Sequence, residues 1–133
     1  MQSVIASQVG YPDKALDYFR TACSVDLEDS NGNTADGIHV ASCGGTWMAL
    51  VAGFGGLRDY DGEVEFSPRL PAEWSGLRFR LQVRGQLLEV DMRPAGTTYR
   101  LLEGRGLPVK HFGEQLRVLP GQPVSIGELP LAA

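Results

Sequence analysis

Cysteine and histidine are scarce in this sequence, at two of each in 133 residues. Cys23, Cys43, His39 and His111 show no zinc-ligand spacing, so no metal site is expected. With no secretory signal, reduced and buried thiols are expected rather than a disulfide framework. The amino terminus, "MQSVIASQVGYPDKAL", lacks both a basic n-region and a sustained apolar core. No signal peptide is therefore expected, and the expected location is cytoplasmic. Lysine and arginine never cluster and the formal net charge is −4, which removes the phosphate-tracking stripe that a nucleic-acid partner requires. The longest apolar run, "WMALVAGFGGL", is too short and too broken by glycine to cross a bilayer. No cofactor is expected.

What is present is ordinary for a folded domain: 43% hydrophobic and 21% charged residues. Such a chain can bury a core without disulfides or metals. The apolar spacing changes near Gly55. Upstream it is helical. "SVIASQVG" ends on Gly10 and reads as a helix with a glycine cap. In "YPDKALDYFRTAC", Pro12 or Asp13 suits a helix start. Ala15, Leu16, Phe19, Ala22 and Cys23 then recur at steps of three and four, as one apolar helix face does. "DLEDSNGNTADG" is a polar connection with a turn signal at Asn31-Gly32. "HVASCGGTWMALVAGF" is a third helix, apolar on nearly every face, and such a helix needs partners all round.

Downstream the period is two. Val64 and Phe66 alternate with Glu63 and Glu65. Leu77, Phe79, Leu81 and Val83 alternate with Arg78, Arg80, Gln82 and Arg84. A turn at Arg84-Gly85 or Gly85-Gln86 leads to Leu88, Val90 and Met92, a hairpin with one wet and one buried face. "TTYRLLEG", "LPVKHFG", "EQLRVLPG" and "QPVSIGEL" continue as short strands. The expected fold class is α+β. A short helical segment of two to three helices is followed by an all-β antiparallel sandwich or jelly roll. The domains are expected at residues 1–56 and 57–133.

Several residues invite a chemical reading beside a plain one. His39 suits either an anion contact at a helix start or a satisfied cap. Ser42 and Cys43 look like nucleophiles, yet no base is placed to activate either. They read better as small packing residues, with Ser42 bonding a carbonyl one turn back. Gly44-Gly45 reads as close helix packing rather than a phosphate cradle, and Trp47 and Met48 as core. Asp26, Glu28, Asp29 and Asp36 do not match a calcium loop and read as caps and solvated loop. Asp59 and Asp61 flank the helix-to-sheet join, where pairing with Arg58 would be structural. Tyr60 and Trp74 offer either a sugar platform or interdomain packing. The row Arg78, Arg80 and Arg84 is either a binding stripe or a solvated strand face interleaved with acids.

Three stretches carry a more specific signal: "DGIHVASCGGTW", "GFGGLRDYDG" and "FSPRLPAEWSGLRFRL". With their surroundings, from the start of the chain to past Leu102, they closely resemble the carboxy-terminal end of glycoside hydrolase family 65. That family contains maltose, trehalose, kojibiose and nigerose phosphorylases and some trehalose hydrolases. The resemblance implies an (α/α)6 barrel that holds the active site, followed by a small carboxy-terminal β-sandwich. This chain would carry the last barrel helices and that sandwich. The family's general-acid glutamate and a phosphate-holding serine loop would lie upstream of the matching stretch. His39 matches the histidine of the "GIH" motif, which contributes to the phosphate site, and no catalytic residue is carried over.

The resemblance thus implies a fragment of an inverting disaccharide phosphorylase, inactive alone, with inorganic phosphate and a disaccharide as partners of the parent enzyme. A stand-alone carbohydrate-binding or docking module, and a remnant of a trehalose hydrolase, are the alternatives. Helix faces that would meet the rest of a barrel, at Leu16, Phe19, Val40 and Trp47, are expected to drive homo-oligomerisation or association with that barrel.

Overall fold

The computed structural model describes residues 1–24 and 40–127. They form two compact units that part between Phe54 and Gly55.

The first unit is helical: α1 (Gln2–Gln8), α2 (Pro12–Ser24) and α3 (Val40–Met48), which continues as a π-helix over Ala49–Phe54. The three-residue link between α1 and α2 is set by local chemistry. Gly10, at φ +86°, closes a Schellman motif in which Gly10 N donates to Ser7 O (3.3 Å) and Tyr11 N to Ala6 O (2.9 Å), satisfying carbonyls that a helix end leaves bare. Pro12 then opens α2, where its missing N–H is no loss. Asp13 lies in the first turn, on the favourable side of the helix dipole.

Packing between the helices uses serine as much as hydrocarbon. Ser3 Oγ donates to Ala15 O (2.8 Å), Ser7 Oγ to Gly53 O (3.0 Å) and Ser42 Oγ to Ala22 O (3.2 Å). Each bond ties one segment to another. The carbonyls one turn before Ser42, where sequence placed its bond, lie outside the described residues; the bond described clamps α3 to α2. Phe19 meets Phe54 edge-on at 5.7 Å, a favoured ring geometry.

Burial in this unit corrects several expectations. Leu16 is not an exposed association face; it is buried with Ala15. Phe19 is half-buried. No residue of α3 is buried, so the expected core roles of Trp47 and Met48 fail, with 47% and 46% of each exposed. A Cβ built on Gly44 or Gly45 would meet nothing within 4 Å, so these glycines do not admit a close neighbour. Cys43 is exposed rather than buried, and Cys23 is half-buried. The common cause is that α3 has apolar residues on more faces than α2 and the π-helix cover.

The second unit has eight strands: β1 (Arg58–Tyr60), β2 (Glu63–Phe66), β3 (Leu77–Val83), β4 (Gln86–Arg93), β5 (Gly96–Glu103), β6 (Leu107–His111), β7 (Glu114–Val118) and β8 (Val124–Gly127). They form two four-stranded sheets, β1-β2-β6-β7 and β3-β4-β5-β8. The fold class read from the sequence holds. The pairings are antiparallel except β2–β6, which is parallel through Glu65↔Lys110 and Phe66↔His111.

Three hairpins turn on two residues with positive φ. They are Asp61-Gly62 (52°, 75°), Arg84-Gly85 (50°, 72°) and Phe112-Gly113 (48°, 83°). That is the type I′ requirement, whose twist matches the flanking strands. The sequence alternatives for the β3–β4 turn thus resolve to Arg84-Gly85.

Between the sheets lie Val64, Phe66, Leu81, Leu88, Val90, Met92, Tyr99, Leu101, Leu107, Val109 and Val118, the inward members of each alternation. Phe66 touches rings of the facing sheet, Phe79 at 6.4 Å and Tyr99 at 5.4 Å. Burying one such side chain contributes about 1.5–3 kcal/mol.

Candidate functional site

His39, the one site residue singled out from sequence, lies outside the described residues, as do Asp26, Glu28, Asp29 and Asp36. What is described is the helix that follows it. Val40, the next residue, opens α3 and is 80% exposed. Ser42, two positions further on, bonds Ala22 O on α2. The start of α3 is thus tethered at one point. A helix start presents free N–H groups and favours an anion.

The outer face of the β3-β4-β5-β8 sheet is more ordered than a wet strand face. Glu89 and Asp91 are buried there, at 5% and 6% exposure, although they point away from the hydrophobic core. Arginines cover them. Asp91 accepts from Arg78 and Arg93, each at 2.8 Å. Glu89 accepts from Arg80 at 3.0 Å. Arg100 spans both acids at 3.4 and 3.5 Å. Cross-strand register makes this possible, since Arg78 faces Asp91 while Arg80 and Arg100 flank Glu89. Burial pushes the Asp91 carboxyl upward. The hydrogen bonds from Arg78 and Arg93 outweigh it and leave Asp91 below the usual carboxylate range. All four of these arginines, Arg78, Arg80, Arg93 and Arg100, are therefore engaged by acids of their own sheet, and the acids are buried.

Inside the sandwich, Tyr99 Oη lies 2.7 Å from His111 Nδ1. Burial holds the imidazole below its ordinary range, against a weaker upward pull from Glu114, and raises the phenol. A neutral imidazole bonded to a neutral phenol, closed off from solvent, ties two sheets together; it has no path to a substrate. The alternation Leu107, Val109, His111 was the sequence signal that places this histidine inward.

The remaining candidates scatter. Arg58 Nη1 donates to Leu57 O at 2.7 Å, and Asp61 sits in the β1–β2 turn. Trp74 is half-buried. Tyr60 is not core; it is 65% exposed. Sequence reasoning passed over a pocket of about 270 Å³ whose polar lining is Glu63, Arg84, Lys110 and Gln115. These four come from four different strands and turns, and no local pattern joins them.

The comparisons with known proteins divide the chain in the same order as its elements. Residues 1–48 match the family model described as "Glycosyl hydrolase family 65 central catalytic domain", and residues 57–118 match "Glycosyl hydrolase family 65, C-terminal domain". The alpha,alpha-trehalose phosphorylase of Thermoanaerobacter brockii is 41% identical over 120 residues, which is 90% of this chain and 16% of that protein. An uncharacterized glycosyl hydrolase of Mycobacterium leprae is 46% identical over 127 residues, 94% of this chain and 16% of that protein. Among solved structures, a putative kojibiose phosphorylase from human microbiome superposes with a TM-score of 0.86 at 29% identity, over 94% of this chain and 18% of that one. The chain thus spans less than a fifth of the length of the relatives it matches.

Proposed function

Since the chain belongs to glycosyl hydrolase family 65, we propose that it is the closing segment of an inverting disaccharide phosphorylase acting in the cytoplasm. Residues 1–56 serve as the last helices of the catalytic barrel, and residues 57–133 as its carboxy-terminal sandwich. The observation that carries this reading is the 41% identity to a trehalose phosphorylase across 90% of the chain. The reaction is phosphorolysis of an α-glucosidic disaccharide to a sugar 1-phosphate and glucose.

Inverting cleavage needs a carboxylic acid to protonate the leaving oxygen while a nucleophile attacks the opposite face of the sugar. Phosphate is already a nucleophile, so the second carboxylate that would activate water is not needed. It must instead be held in line, because positioning and fixed hydrogen-bond donors supply much of the rate. His39 is the donor we assign to phosphate, one residue before α3 begins. The Ser42–Ala22 bond ties down the helix that follows His39 in sequence. The general acid belongs to the part of the barrel upstream of the matched segment, so these 133 residues alone do not cleave.

The test is reconstitution. The chain is co-produced with the upstream part of the Thermoanaerobacter brockii relative, and sugar 1-phosphate release is assayed from trehalose, kojibiose and maltose. Phosphate-dependent release in the mixture only is expected. Cleavage by the chain alone, or release of glucose that does not depend on phosphate, overturns the reading.

A further inference from the structure

The parallel ladder between β2 and β6 pairs only Glu65↔Lys110 and Phe66↔His111. Upstream of those pairs the register is not continued, and this unpaired end of β2 and β6 is the fork. Pro108 lies at that end of β6 and has no N–H to offer β2. The cavity of about 270 Å³ is lined here by Glu63 and Val64 of β2, Pro108 and Lys110 of β6, and Arg84 from the β3–β4 turn. A Cβ added to Gly62 would lie 3.5 Å from Arg84 Nη2, which brings the guanidinium close to the β1–β2 turn.

The lining decides the class of ligand. Arg84 and Lys110 donate only, Glu63 accepts only, and Gln115 does both. The Lys110 ammonium is paired to the Glu63 carboxylate. A small anion entering the fork meets Glu63, and a cation meets Arg84 and Lys110. A neutral polyol suffers neither repulsion, and each of its hydroxyls both donates and accepts. The volume is at the small end for ligand pockets, which suits a single sugar ring. An aromatic surface stands alongside. Tyr60 is directly opposite Glu63 in the β1–β2 pair. Opposed residues share a sheet face, and the Tyr60 ring is 65% exposed. An exposed ring beside mixed donors and acceptors is the arrangement that takes the C–H face of a pyranose.

We propose that the fork between β2 and β6 is a binding site for a neutral pyranose, with Tyr60 as the stacking surface and Glu63, Arg84, Lys110 and Gln115 as the hydroxyl contacts. No bond is made or broken there. The proposal does not depend on phosphorolysis: a chain inactive in every cleavage assay would still bind sugar at this fork.

The test is an amide chemical-shift titration of the whole chain with D-glucose, and separately with inorganic phosphate. Glucose is expected to shift the amides of Gly62, Glu63, Gly85, Lys110 and Gln115 saturably, with a Kd on the order of millimolar. Tyr60→Ala and Arg84→Gln are each expected to weaken binding about five-fold, the loss of one good contact, while Tyr60→Phe retains it. Unchanged amide shifts over β3–β5 show that each variant is folded. Saturable shifts with phosphate but not glucose, no saturable shift with glucose at these amides, or full binding by folded Tyr60→Ala and Arg84→Gln would each overturn the proposal.

Discussion

Tyr99 in one sheet and His111 in the other share a single hydrogen bond, 2.7 Å from Oη to Nδ1, at the centre of the sandwich. Both residues are buried, and their rings meet edge-on at 5.8 Å. Tyr99→Phe keeps the ring and removes the only polar partner described for Nδ1. An unpaired buried acceptor or donor costs about 1–3 kcal/mol, and urea unfolding of the whole chain is expected to read a loss in that range. An unchanged midpoint would show that the bond contributes nothing.

The same pair sets a pH dependence. Burial lowers the His111 pKa, so between its folded value and the unfolded value of about 6.5 only the unfolded chain takes up the proton. Stability is therefore complete above that window and falls as pH drops through it, by at most about 1.4 kcal/mol per pH unit. Urea midpoints at about pH 7.5 and about pH 5.5 measure the effect. His111→Gln is expected to flatten the slope.

Thr97 is almost fully buried, and among the described residues its hydroxyl finds no partner. Thr97→Val keeps the shape and removes the hydroxyl. It is expected to stabilise the chain by about 1 kcal/mol, the cost of leaving a buried polar group unsatisfied. A lower unfolding midpoint would point to a partner for that oxygen, such as a buried water.

Asp91 holds Arg78 and Arg93 and touches Arg100. Asp91→Ala leaves these cations facing each other over the same strands. The expected loss is about 1–3 kcal/mol for hydrogen bonds to a charged group, toward the low end because the arginines reach water. Since the Asp91 pKa is lowered, its contribution is present above about pH 4 and is lost on further acidification. Salt titration of the variant and the parent should converge.

Val40 and Trp47 leave apolar surface on α3 uncovered, at 80% and 47% exposure. Self-association of the isolated chain is expected from such surface, and Val40→Ser with Trp47→Ser is expected to reduce it. Light scattering reads the outcome, and a strictly monomeric parent chain would contradict it.

In the reconstituted enzyme, His39→Ala is expected to raise the KM for phosphate at least ten-fold, with a smaller effect on the KM for disaccharide, as loss of one charge-assisted donor of about 1.5–3 kcal/mol requires. An unchanged phosphate KM would remove His39 from the phosphate site.

Much of the architecture was legible because it is written locally. The Gly10 cap, a start of α2 at Pro12 or Asp13, a β3–β4 turn around Gly85 and the inward row Leu77, Phe79, Leu81, Val83 all follow from residues within one turn or one hairpin of each other. The same reasoning failed where the partner is distant. The bond from Ser42 to Ala22 on another helix follows no local pattern. Trp47 and Met48 were assigned to a core because their neighbours in sequence are apolar, yet a helix is buried only where other elements cover it. The row Arg78, Arg80 and Arg84 read as a binding stripe or a solvated face interleaved with acids, and nothing local marked Glu89 and Asp91 as buried. They are buried because register sets arginines from three strands over them.

By itself the sequence determined the two periods, where the elements begin and turn, the sheet faces, and the three motifs that mark the family. Periodicity and capping are short-range physics, and the side-chain alternation of a strand is set before it has a partner. The parallel pairing of β2 with β6, the Tyr99–His111 bond and the pocket at the fork were decided only by the tertiary structure. Each joins residues on separate strands, a dozen or more positions apart, and whether such segments meet depends on how the sheets are assembled.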